Sequence, residues 1–143
     1  MKKVIVLLLI VLNTYASTFV EIESKYNAQT TVNKISTMIE EKKGFSIFTV
    51  FNHQKNATSV DMNLPFSQVI VFGNPKAGTK LMQADILMGY ELPMRIMVYE
   101  KDGKVIVAYR KTRYLSDNYK IKNSPVLPKM KKMMAYFTSS IKK

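Results

Sequence analysis

The stretch Gln68-Val69-Ile70-Val71-Phe72-Gly73-Asn74-Pro75-Lys76-Ala77-Gly78-Thr79-Lys80-Leu81-Met82-Gln83-Ala84 changes its hydrophobic period half-way. Gln68 to Phe72 is a compact β-branched run, which reads as a buried strand. Gly73-Asn74-Pro75 is a sharp exit from that strand. From Lys76 to Ala84 the chain can form about two helical turns that turn Leu81 and Met82 inward, with Asn74 or Thr79 near the start. Gly78-Thr79 would open that turn with free backbone donors able to hold an anionic or carbonyl group. The lysine-serine or lysine-threonine ending of a phosphate loop is missing. The bend is therefore either a plain structural turn or a loop that faces a ligand.

Upstream, Thr18 to Ser24 sets Val20 and Ile22 against Glu21 and Glu23, the alternation of a strand with one wet face. Between Thr30 and Lys43, Val32, Ile35 and Ile39 share one side of a helix, with Thr30 as cap and Gly44 as terminator. Phe45 to Asn52 reads as a second strand, largely apolar on both faces so that one is able to meet a partner or ligand, and residues 53 to 66 as a polar connection. Downstream, Met94 to Glu100 and Lys104 to Arg110 flank Asp102-Gly103, a strong hairpin signal. The last element is an amphipathic helix. Val126, Met130, Met133, Met134, Phe137 and Ile141 fall on an arc of roughly 100 degrees, and Lys129, Lys131, Lys132, Lys142 and Lys143 lie outside it. Ser124-Pro125 would start it, with Pro128 able to delay the regular helix by a turn. The order predicts an α+β fold of two layers, an antiparallel sheet with helices on one face.

The first sixteen residues read as a secretory signal peptide. Lys2 and Lys3 precede an apolar run from Val4 to Leu12, and Thr14-Tyr15-Ala16 supplies a small-x-small cleavage triplet. Cleavage near Ala16-Ser17 predicts a periplasmic or secreted product, residues 17 to 143, of a length suited to a single domain. An uncleaved amino-terminal anchor is the alternative. Cysteine is absent, which excludes thiol chemistry and disulfides. The formal charge is +12, and removing Lys2 and Lys3 leaves +10. Residues 118 to 143 carry seven lysines and no carboxylate, which suits either an anionic membrane or envelope surface or a simply solvated helix face.

The block Val71 to Ala84, with Leu92-Pro93, the strand Met94 to Tyr99, the Asp102-Gly103-Lys104 turn, Tyr109, Tyr114-Leu115 and His53 after the second strand, resembles the domain of unknown function 302 family. The similarity runs over roughly residues 18 to 121. It implies a β-α-β(4)-α arrangement similar to the TATA-binding-protein-like fold, often with homodimer formation. Nucleic-acid binding is not implied, because the same architecture hosts unrelated tasks. Asn52 stands where the family commonly places an acidic residue.

His53 is the only histidine, so histidine metal clusters and triad catalysis have little material. Ten methionines raise the thought of copper(I), but Met130, Met133 and Met134 lie on the packing arc, where thioethers are ordinary filler. Neither a metal nor a cofactor is expected. Met82, Met88, Met94 and Met97 could instead line an adaptable apolar cavity bordered by Tyr90, Tyr99, Tyr109 and Tyr114. The reading is a non-enzymatic small-ligand binding or interaction module with its site at His53, Gly73, Asn74, Pro75, Gly78, Thr79, Met82 and Tyr109. The alternatives are a small enzyme using His53 as general base and an envelope-associated protein holding anionic surfaces through its basic carboxy-terminal helix.

Overall fold

The computed structural model describes residues 17–142, so the predicted leader and Lys143 lie outside the described residues. In chain order the elements are β1 (Phe19–Glu23), α1 (Ala28–Glu40), β2 (Ser46–Asn52), α2 (His53–Thr58), β3 (Ser67–Gly73), α3 (Pro75–Ala84), α4 (Met88–Glu91), β4 (Met94–Lys101), β5 (Lys104–Arg110), α5 (Thr112–Asn118) and α6 (Val126–Phe137), closed by a 3-10 turn at Ser139–Ile141. The five strands form one antiparallel sheet in the order β1-β5-β4-β3-β2.

Strand alternation decides which side chains meet the helices. The rows Val107-Val98-Gln68 and Ile96-Ile70 point to the layer of α1 and α6, and Ile70, Ile96, Val98 and Val107 are fully buried there. Ile35 and Ile39 of α1 and Phe137 of α6 close on them from above. Phe45, Phe72 and Phe137 form a three-ring cluster with centroids 5.3 to 6.5 Å apart, two of its contacts edge-on. The opposite sheet face carries the row Glu21-Ala108-Met97-Val69-Phe51, whose members are half-buried or exposed.

The structure departs from the sequence reading at several places: α1 ends at Glu40 rather than Lys43, α4 and α5 are helices that the reading did not contain, and three further points concern caps and starts. Asn27, not Thr30, caps α1, because its Oδ1 accepts from the Thr30 amide at 2.8 Å and places Thr30 inside the first turn. The polar connection after β2 begins as a helix, α2, whose start is capped by Asn52 Oδ1 accepting from the Lys55 amide at 2.8 Å. Pro128 causes no delay in α6, since a residue in the first turn lacks an intrahelical partner for its amide in any case; instead the helix stops at Phe137 and Ile141 is buried by the following 3-10 turn. The hairpin is as expected, with Asp102 at φ +52 and Gly103 at φ +73, the pair of left-handed residues such a two-residue turn needs.

Candidate functional site

The bend after β3 is held by Asn74. Its Oδ1 accepts from the Ala77 amide at 3.0 Å, its carbonyl accepts from the Gly78 amide at 2.9 Å, and Pro75 fills the first helical position without an N–H. The free backbone donors expected at Gly78-Thr79 are therefore not on offer, because Gly78 is already a working part of α3.

Beside the bend lies a cleft of about 730 Å³. One wall is α3, with Gly78, Leu81 and Met82; the facing wall is α6, with Val126, Lys129, Met130 and Met133 at successive turns of a single helix face. Phe45 supplies the floor, continuous with the three-ring cluster, and Leu92, Pro93 and Met94 enter from the start of β4. Phe48 sits at the bulge that shifts the register of β2, and its ring lies so close to Gly73 that a Cβ there would be 3.1 Å from Phe48 Cε2. Glycine is thus the residue that lets this ring reach the cleft.

The lining is apolar and soft, with the thioethers of Met82, Met94, Met130 and Met133 free to adapt their shape. Its charged members are Lys76, Lys80 and Lys129, all exposed, and among the described residues no carboxylate lines it. A second hollow of about 540 Å³ adjoins across Lys80 and Val126, which line both, and adds Lys120 and Lys122. Asp85 ties the two regions together. Its Oδ2 accepts from the Lys120 amide at 2.9 Å and its Oδ1 from the Leu87 amide at 3.0 Å, and these two bonds hold its carboxyl below the usual range.

Of the residues singled out from sequence, Gly73, Asn74, Pro75, Gly78, Thr79 and Met82 come together around the cleft. His53 does not. Gly73 pairs with Ser46, whereas Asn52, the neighbour of His53, pairs with Gln68, so six residue steps of strand, about 20 Å, separate the exposed imidazole from the bend. Tyr109 also stands elsewhere. It lies under the carboxy-terminal end of α6, where burial pushes its hydroxyl pKa up and a hydrogen bond with the Thr138 side chain opposes the shift. Met82 and Met94 do line the cavity, but Met88 is fully buried in the core and Met97 lies on the opposite sheet face, and none of Tyr90, Tyr99, Tyr109 or Tyr114 borders it.

Tyr114 and Tyr119 belong to a separate network. Glu91, whose side chain is only 7% exposed, lies 3.6 Å from Arg110 and accepts from the Tyr119 hydroxyl at 3.0 Å, while the Arg110 guanidinium stacks over the Phe19 and Tyr114 rings. Burial and the Glu91 hydrogen bond raise the Tyr119 pKa. This cluster anchors β5 to α4 and to the segment after α5. Sequence reasoning missed the α6 wall and the lysine rim, whereas for the strand that carries Phe45 and Phe48 it left one apolar face open to a partner or ligand. Lys129 lies just outside the arc of Val126, Met130 and Met133, so the α6 stripe by itself did not mark a cleft wall.

A five-stranded antiparallel sheet backed by two amphipathic helices, with a bend-and-helix insertion between its third and fourth strands, defines a two-layer α+β domain. Residues 20–137 match the family described as Domain of unknown function DUF302, and the chain belongs to that family. The crystal structure of an uncharacterized conserved DUF302 protein from Bacillus stearothermophilus superposes with a TM-score of 0.75, covering 89% of this chain and 100% of that one at 16% identity, a likeness of fold alone. Over 106 residues, 73% of its length, the chain is 29% identical to the Fluoride-specific ion channel FluC 1 of Brucella suis and of Brucella abortus and to the Fluoride-specific ion channel FluC 2 of Brucella melitensis. The matched stretch spans about two fifths of those relatives, 41% in Brucella suis and 39% in the other two.

Proposed function

We propose that this protein is a non-enzymatic binding module that takes a small, largely apolar molecule in the cleft between α3 and α6. The observation that carries the reading is the cleft itself, whose 730 Å³ falls within the range of about 300–1,000 Å³ typical of small-molecule sites and whose walls are thioether, aromatic and aliphatic. Catalysis has less support. Among the described residues the titratable side chains lining the cleft are lysines, and His53 stands a strand's length away, out of reach of a molecule bound there.

The Lys2-Lys3 start, apolar run and Thr14-Tyr15-Ala16 triplet support export as a single domain to the periplasm or beyond. The half-buried row on the open sheet face supports a homodimer through that face. Fluoride conduction, the activity named for the relatives from Brucella, belongs to proteins more than twice as long as the matched stretch, and no helix among the described residues is long and apolar enough to cross a membrane. We do not extend it to this chain.

Gly78 provides the test. A Cβ there would meet Leu92 Cδ1 at 3.6 Å, an ordinary contact, and replacing a glycine inside a helix removes a conformational cost of about 0.5–1 kcal/mol. Gly78→Ala should therefore leave the cleft open and raise the melting temperature, whereas Gly78→Phe should fill it. In a thermal-shift panel of apolar and amphiphilic compounds, those that stabilise the wild type and Gly78→Ala should leave Gly78→Phe unmoved. Compounds that stabilise all three alike contradict the assignment.

A further inference from the structure

We infer that the molecule held in this cleft is a single-chain amphiphilic anion, an alkyl carboxylate, with its chain against the methionines and its head at Lys80. The inference rests on the cleft reading and goes beyond it in naming the ligand's chemistry. Two hollows meet at one ridge: the larger is floored by Phe45 and walled by thioethers, and the smaller sets Lys120, Lys122, Asn123 and Ser124 among aliphatic side chains. Lys80 and Val126 line both, so one lysine stands on the ridge between the methionine-walled space and the lysine-bearing one.

The charge around that ridge is of one sign. Lys76, Lys80 and Lys129 line the larger hollow, Lys80, Lys120 and Lys122 the smaller, and no carboxylate among the described residues lines either. Asp85, the acid nearest in sequence to the α3 wall, has one oxygen on the Lys120 amide and the other on the Leu87 amide, so both are engaged by backbone donors, and it lines neither hollow. An uncharged apolar ligand would gain nothing from such a rim. A compact polar anion would gain nothing from the methionine walls. A molecule with one alkyl chain and one negative head uses both, with the chain removed from water and the head left at an exposed lysine where it stays hydrated. A lysine rim that merely solvates the protein would bind acid and alcohol alike, which makes the two readings separable.

The test is calorimetric titration of the chain with octanoate, decanoate and dodecanoate, each below its micellar concentration, beside the matching alkanols. The expected result is that acids bind more tightly than alkanols, that each added methylene tightens binding about fourfold until the cleft is full, and that salt weakens the acids only. The Lys76→Gln, Lys80→Gln, Lys129→Gln triple variant, altered only at exposed side chains, should lose about tenfold in acid affinity with alkanol binding unchanged. Gly78→Phe should abolish both. Equal binding of acids and alkanols by the wild type overturns the inference while leaving the cleft reading intact. Absence of binding by either class overturns both. Acid binding indifferent to Gly78→Phe, or binding to anionic phospholipid vesicles without any response to the free acids, also overturns it, and in the latter case assigns the lysines to a membrane surface.

Discussion

Asn74→Ala is the change that separates a structural bend from a ligand-facing one. Asn74 Oδ1 accepts from the Ala77 amide at 3.0 Å, and alanine leaves that amide without its cap, a loss of about 1 kcal/mol. For a domain of this size that lowers the melting temperature by about 3–6 °C. Asn74→Asp and Asn74→Ser keep an acceptor at the same place and should retain most of the stability. Gly44 adds a second handle. It has φ +85, and a Cβ on it would lie 2.9 Å from Asn74 Nδ2, so Gly44→Ala incurs about 1–2 kcal/mol of left-handed strain plus a collision. Once Asn74 is alanine the collision is gone, and the double variant should be less destabilised than the sum of the singles by about 0.5 kcal/mol or more. Urea denaturation of the four proteins measures this cycle. A wild-type melting temperature for Asn74→Ala, an equal loss for Asn74→Asp, or strict additivity with Gly44→Ala would each refute the reasoning.

Asp85 is held below the usual carboxylate range when folded, so its contribution is complete above the ordinary carboxylate pKa and is lost as pH falls through the lowered folded value; Asp85→Asn should flatten that acid limb in pH-dependent urea melts, and an unchanged limb would contradict the bonds to Lys120 and Leu87. Met97 lies at the centre of the half-buried row on the open sheet face, so Met97→Glu should shift a dimer to a monomer in sedimentation velocity, whereas an unaltered dimer would place the contact elsewhere.

The fold was legible because its main elements carry period. The Asp102-Gly103 hairpin, the β-branched run into Gly73 and the α1 stripe each contain their own signal. What escaped lacked one. α2 is six residues, polar but for Ala57, with no buried side chain, held at its start by the Asn52 cap, and no apolar stripe announces it. The α1 start was displaced by three residues because both Asn27 and Thr30 are capping types, and only the 2.8 Å bond to the Thr30 amide chooses between them. At the site, the bend was readable and its partner wall was not. The stripe on α6 looks the same whether its edge meets a closed core or an open cleft, and that depends on where α3 is placed. The separation of His53 from the bend was implicit in the antiparallel order, since the end of one strand in such a pair lies opposite the start of the next.

The methionines report on the central claim from inside the molecule. Met82, Met94, Met130 and Met133 line the cleft, while Met38 packs beside Ser140, Met62 is exposed in the loop before β3 and Met97 lies across the sheet. Titrating dodecanoate into the methyl-labelled protein should move the methyl resonances of the first four and leave those of the last three in place. Shifts at Met62 or Met97 with the cleft methyls silent would contradict a ligand site between α3 and α6.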